Sequence, residues 1–170
     1  MTGSFGIRAA DPDDFRAVSS LLTASYTQLL AADYESDLMA RALPLMTRAN
    51  PQLLASGTFY VVENRAGDLI GCGGWSKQPP GSGETRQDMA HIRHFATDPD
   101  WTRQGVGTLI LTRCLQGAKD AAIRILECNS SLGSIEFYRT SGFAIVKAID
   151  MRLMPDISVP GILMRLEFPG

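Results

Sequence analysis

The chain predicts a mixed α/β fold, because the period of its hydrophobic pattern changes repeatedly along the sequence. Short β-branched and aromatic runs, such as Thr58–Glu63 and Ile123–Cys128, read as strands. Longer stretches, such as the one holding Val106, Ile110, Cys114, Ala118 and Ala121, carry apolar residues at near-helical spacing. Clusters of Pro, Gly, Asp and Asn separate the two kinds. The resulting order is β-α-α-β-β-β-α-β-α-β-β. A length of 170 residues suits one domain, 1–170, with a substantial core.

Ile7–Ala10 begins the order as a short strand. Asp11 then offers an N-cap, Pro12 a first helical position, and Asp13 and Asp14 an acidic first turn. Phe15, Val18, Leu21 and Leu22 continue that helix on one face. A second helical region is expected from about Tyr34 to Asn50, with Leu38, Leu45 and Met46 buried and Pro44 breaking or kinking it. Thr58–Glu63 and Leu69–Trp75 form a hairpin about Asn64–Asp68. Lys77–Thr85, with Pro79-Pro80-Gly81-Ser82-Gly83, is a surface loop. Met89–Thr97 is a strand ended by Asp98-Pro99, and Gly105–Ala122 is the helix that follows. After the strand Ile123–Cys128, Leu132–Ser141 forms a short helix that Gly142 ends. Phe143–Leu153 and Ile162–Phe168 are the last strands, with Pro155 and Pro160 between them.

Composition narrows the function. A hydrophobic share of 45% with 20% charged residues is that of a soluble globular protein. The net charge of −2 and the lack of a basic tract argue against nucleic-acid binding. No apolar run approaches a membrane span, and Met1–Gly6 does not read as a secretory signal. Cys72, Cys114 and Cys128 form no C-x-x-C pair, so they read as small buried thiols of a reducing cytoplasm. His91, His94 and the acids show no metal-ligand spacing, and no metal is expected.

The most informative stretch is Phe95-Ala96-Thr97-Asp98-Pro99-Asp100-Trp101-Thr102-Arg103-Gln104-Gly105-Val106-Gly107. A strand stops at Asp-Pro, a polar turn follows, and two glycines open an amphipathic helix. Such an arrangement aims backbone N–H groups and the positive end of a helix at one point, which suits phosphate. A P-loop would need Lys after Gly107, where Thr108 stands. A dinucleotide fingerprint would need a third glycine at Ile110.

The turn resembles the pyrophosphate turn of the GNAT superfamily, the acetyl-CoA-dependent N-acetyltransferases. Ser134-Ile135-Glu136-Phe137-Tyr138-Arg139-Thr140-Ser141-Gly142-Phe143 resembles the second hallmark of that superfamily, a helix bearing a Tyr and ending in Gly-Phe. The element order agrees over nearly the whole chain. One position departs: Thr102 stands where the turn pattern carries Gln or Arg, with Arg103 and Gln104 at the two variable positions. The resemblance implies a single-domain fold with a mixed, mostly antiparallel central sheet of about seven strands and helices on both faces. It also implies transfer of acetyl from acetyl-CoA to a primary amine by direct attack in a ternary complex, with CoA as product.

The resemblance also implies roles for individual residues of the site. Backbone groups of Phe95, Ala96 and Thr97 would place the cofactor, and Thr102, Arg103, Gln104, Gly105, Val106, Gly107 and Thr108 would hold its pyrophosphate. Asn129 or Ser131 would bind the pantetheine arm. Tyr138 matches the general acid that protonates the leaving thiolate. His91 is the leading general base, on a strand face expected to include Arg93, Phe95 and Thr97, with His94 on the opposite face. Glu84, Asp88 and Glu35 are further candidates for the base. Tyr26, Tyr34, Met39 and Trp75 could wall the acceptor cleft, with Glu35 and Asp37 attracting a cation. The acceptor is a small-molecule or peptide amine, and a homodimer stays open. A fold relative that binds acetyl-CoA as a sensor or interaction module, without turnover, is the alternative.

Overall fold

The computed structural model describes residues 5–81 and 83–169. Its strands are β1 (Phe5–Ala9), β2 (Phe59–Asn64), β3 (Leu69–Ser76), β4 (Met89–Thr97), β5 (Ile125–Ser130), β6 (Ala144–Met154) and β7 (Ile157–Glu167). They form one seven-stranded sheet in the order β1-β2-β3-β4-β5-β7-β6. Every neighbouring pair is antiparallel except β4 and β5, which run parallel. The parallel pair is where the chain crosses over through a helix, as parallel neighbours require.

The helices are α1 (Phe15–Ser25), α2 (Ser36–Met46), α3 (Pro51–Leu54), α4 (Val106–Asp120) and α5 (Ile135–Thr140). Alternation along β2 assigns α1 and α4 to opposite faces. Phe59 and Val61 pack with Val18, Leu21 and Leu22 of α1, whereas Tyr60 and Val62 pack with Val106, Ile110 and Leu111 of α4. Asp11 starts the first helical turn as expected. Its side chain accepts from the Asp13 N–H, and the Asp14 carboxylate accepts from the Asp11 N–H.

The glycines of β3 let neighbouring elements approach the sheet. A Cβ at Gly74 would meet the Thr58 carbonyl oxygen and lie 2.6 Å from the Phe59 Cα. Because both neighbours belong to backbone, Gly74→Ala is expected to destabilise the fold by on the order of 2–3 kcal/mol. A melting temperature lowered by several degrees would show it.

Several local expectations differ from the structure. Pro44 does not break α2, which runs on through it to Met46. Pro51 opens α3 as its first residue, and Asn50 caps it by accepting from the N–H groups of Gln52 and Leu53. Leu45 is exposed, and the buried residues of α2 are Met39 and Ala42. Pro160 does not end a strand but lies within β7. It sits where β7 has β6 beside it and pairing to β5 has not begun, since that starts at Ile162. The last turn is therefore the short Pro155-Asp156 link. Among the described residues no helix is long and apolar enough to cross a membrane.

Candidate active site

A β-bulge in β4 organises the site. Arg93 pairs with Gly74 and Ala96 with Cys72, so His94 and Phe95 together oppose Gly73. His94 takes a left-handed backbone, φ 51°, which a non-glycine residue rarely adopts. The bulge changes which residues share a face. Before it, Ala90 and Ile92 pack on the α4 face; after it, Ala96 packs on the α1 face. His91 and Arg93 therefore face the α1 side, while Phe95 and Thr97 face α4. The face expected to unite His91, Arg93, Phe95 and Thr97 does not form, because the inserted residue reverses the alternation.

The ladder between β4 and β5 is short. It joins Met89 to Ile125, Ala90 to Leu126 and His91 to Glu127. Beyond His91 the strands part, β4 continuing beside β3 and β5 beside β7. His91 and Glu127 thus mark the vertex of a gap. The Glu127 carboxylate accepts from Arg165 Nε at 2.9 Å and Nη2 at 2.6 Å, which holds it in place. Desolvation lowers the His91 pKa, Glu127 opposes that shift and Arg93 adds to it. The imidazole is therefore neutral at pH 7, as a base must be. His94 is more deeply buried, its pKa falls to about 4, and its Nδ1 has no partner among the described residues.

Tyr138, on α5, lies on the α4 face. Its ring packs edge-on to Phe95 at 6.1 Å, Phe137 at 5.1 Å and Phe143 at 5.6 Å. Only 6% of the residue is exposed, yet its hydroxyl oxygen is not among the sealed, unpartnered atoms and makes no hydrogen bond among the described residues. Burial raises its pKa well above the usual phenol value, so it keeps its proton through neutral pH. A second phenol arrives from the other face. α1 continues into a π-helical turn, Tyr26–Leu30, and the Tyr26 hydroxyl donates to the Phe95 carbonyl at 3.1 Å. Tyr26 is thus a polar contact on β4 rather than a simple apolar wall. Such π turns often lie at functional sites.

The glycine turn presents α4 to the far end of the gap. Gly105 caps α4 in a left-handed conformation, φ 87°, and Arg103 is left-handed too, φ 60°. A Cβ on Gly107 would lie 3.2 Å from the Phe137 ring, so that glycine also serves packing against α5. Val106 is buried, while Gly105 and Thr108 are open to solvent. Thr102, the departing position, donates its hydroxyl to the Pro99 carbonyl at 3.4 Å. The Arg103 and Gln104 side chains are exposed, and Gln104 Nε2 donates back to Asp100.

Other expected site residues are scattered. Asn129 is exposed, and alternation with buried Cys128 turns it to the α1 side with Glu127. The Ser131 hydroxyl donates to Ser134 at 2.9 Å. Tyr34 and Met39 pack between α2 and the β6–β7 hairpin in a hydrophobic cluster with Val159 and Met151. The Tyr34 hydroxyl donates to the Pro160 carbonyl and accepts from the Leu132 N–H. Trp75 lies in the α4-side core instead. Glu35, Asp37 and Glu84 are exposed. Asp88 pairs with Arg86. All three cysteines are free and buried. Burial lifts Cys72 and Cys128 to about 12 and raises Cys114 as well, so none is a nucleophile at neutral pH. The sequence carried no sign of Glu127 and Arg165 beside His91, because strand pairing alone brings them there.

The model of the acetyltransferase (GNAT) family matches residues 18–143. An uncharacterised N-acetyltransferase of Methanocaldococcus jannaschii is 33% identical over 61 residues, covering 34% of this chain and 27% of that protein. The match thus spans about a quarter of that relative's length. A solved GCN5-related N-acetyltransferase from Rhodopseudomonas palustris superposes with a TM-score of 0.77 at 18% identity, over 99% of this chain and 98% of the other. The PaiA N-acetyltransferase of Thermoplasma acidophilum, solved with coenzyme A, gives 0.72 at 14% identity over 98% and 100%. At these identities the two structures share the fold with this chain.

Proposed function

Because the chain belongs to the acetyltransferase (GNAT) family, we propose that residues 1–170 form one domain that moves acetyl from acetyl-CoA to a primary amine by direct attack in a ternary complex. The observation that carries this is the gap between β4 and β5, with a neutral imidazole on one face, a protonated phenol on the other and a helix N-terminus at its end. Coenzyme A in a neighbour of the same fold supports the choice of cofactor.

The chain's own groups fit that cofactor. The first-turn N–H groups of α4, at Val106, Gly107 and Thr108, have no intrahelical partners and suit a pyrophosphate. The edge of β4 from Phe95 to Thr97, unpaired to β5, suits the pantetheine arm, with Asn129 and Ser131 across the gap. When bound, acetyl-CoA supplies an activated thioester. His91 takes a proton from the incoming ammonium on the α1 side, and Tyr138 gives one to the sulfur on the α4 side. With the imidazole's pKa below its usual value and the phenol's above, both stay neutral together at pH 7. Three free, buried thiols suit a reducing compartment such as the cytoplasm.

The test is thiol release from acetyl-CoA across a panel of amines, with coenzyme A affinity measured by calorimetry. Amine-dependent release is expected; tight binding without acceleration by any amine would favour a sensor instead. For His91 the sign is set by burial. A lowered pKa keeps the base active below pH 6.5, so the acid limb of the kcat/KM profile should fall on the acid side of that value. His91→Ala is expected to remove this limb and slow turnover about a hundredfold. An unchanged limb would assign the base elsewhere.

A further inference from the structure

Arg93 is a half-buried guanidinium without a carboxylate. Nη1 donates to the Ser76 hydroxyl at 2.9 Å and to the Gln78 carbonyl at 3.3 Å. Both acceptors are neutral. Among the described residues nothing accepts from Nε or Nη2, and no acid pairs with this cation. A desolvated charge left this way is costly unless something else meets it. The free pair is also chemically specific. Nε and Nη2 form the side edge of the guanidinium, the edge that takes a carboxylate through two parallel hydrogen bonds. Nη1 is tied to β3 and the segment after it, which fixes the plane of the fork.

Its position matters as much as its chemistry. Alternation with Ala90 and Ile92, which pack on the α4 face, puts Arg93 on the α1 side with His91, two residues earlier on the strand and likewise before the bulge. Their Cα atoms are separated by about 6.6 Å along an extended strand, so one small molecule can reach both. Ser76 pairs with His91 and binds Arg93, which joins the two groups into one patch. The ionisable groups around the guanidinium are His91 and His94, both neutral at pH 7 by burial. Glu127 is held by Arg165, and Glu35 and Asp37 are exposed. Among the described residues nothing on this face pairs with the charge of Arg93.

We propose that the acceptor is an amine that carries a carboxylate, and that Arg93 binds this carboxylate while the amine lies beside His91. The proposal rests on the acetyltransferase reading and deepens it. Arg93 is a specificity determinant: it selects the acceptor and leaves the thioester to other groups.

The test uses the full-length protein and acetyl-CoA. Thiol release is measured with a set of amino acids, each paired with its carboxamide and with the matching aminophosphonate. The wild type is expected to prefer the acid over the carboxamide at least tenfold in kcat/KM. Arg93→Ala should raise KM for the acid about tenfold to a hundredfold. It should cost the carboxamide far less than the acid and leave coenzyme A affinity unchanged. Arg93→Lys, which keeps the charge without the fork, should recover part of the loss. Equal use of acid and carboxamide by the wild type, equal losses for both in Arg93→Ala, or a preference for the phosphonate would each overturn the proposal and leave the acetyltransferase reading intact. Release with no amine of any class would overturn both.

Discussion

Replacing Thr108 by Asp is expected to weaken coenzyme A binding about tenfold to a hundredfold without lowering the melting temperature. Thr108 is the third residue of α4 after its Gly105 cap and is exposed. An acid in the first turn interacts favourably with the helix dipole, by about 0.3–1 kcal/mol. The folded state is therefore kept or slightly stabilised. The same negative charge sits where a pyrophosphate would meet the N–H groups of that turn. At an effective dielectric near 20, like charges a few ångströms apart repel by a few kcal/mol before screening. Calorimetry and a thermal melt separate the two effects. Affinity unchanged within twofold would remove the α4 terminus as the pyrophosphate site. Gly107→Asp is a poorer probe, since a Cβ there already crowds Phe137.

Tyr138→Phe is expected to lower kcat by about 10²–10⁴-fold, the range for loss of a positioned general acid. The ring packs among Phe95, Phe137 and Phe143, and Phe preserves that packing. The hydroxyl makes no hydrogen bond among the described residues that the change would break. Stability and coenzyme A affinity should therefore stay near those of the wild type. A retained kcat would pass the proton to another group, and Tyr26, whose hydroxyl contacts β4 from the other face, is then the next phenol to change.

Much of this fold was legible in residue pattern because its signals are local. Asp11-Pro12 marks a helix start through one side chain and one fixed φ, and both act where they stand. β4 begins and ends where Met89 and Thr97 predicted. Pro44 does not end α2, which runs on to Met46, because a proline removes one hydrogen bond from a helix without necessarily stopping it. Pro160 was misleading because a proline is tolerated where a strand is paired on one side. Leu45 matched a helical period, yet its part of α2 has solvent rather than sheet beside it.

The candidate site divides along the same line. The glycine turn and the Tyr138 helix are contiguous motifs, and backbone conformation over a few residues is enough to produce them. The sequence by itself therefore determined the family resemblance, the glycine turn and the phenol. Which face His91 and Arg93 occupy could not be read this way. Alternation predicts one shared face from His91 to Thr97, and a single inserted residue at His94 reverses it. Gly71, Gly73 and Gly74 of β3 allow a bulge beside them, since a Cβ at Gly73 would collide with the Phe95 ring; which residue of β4 is inserted follows from how β4 must register against β3. The Glu127–Arg165 pair beside His91, and the gap that opens beyond it, likewise depend on strands distant in sequence meeting in one order. Tertiary structure alone decided these, because register is set by the packing of whole faces and not by any one residue.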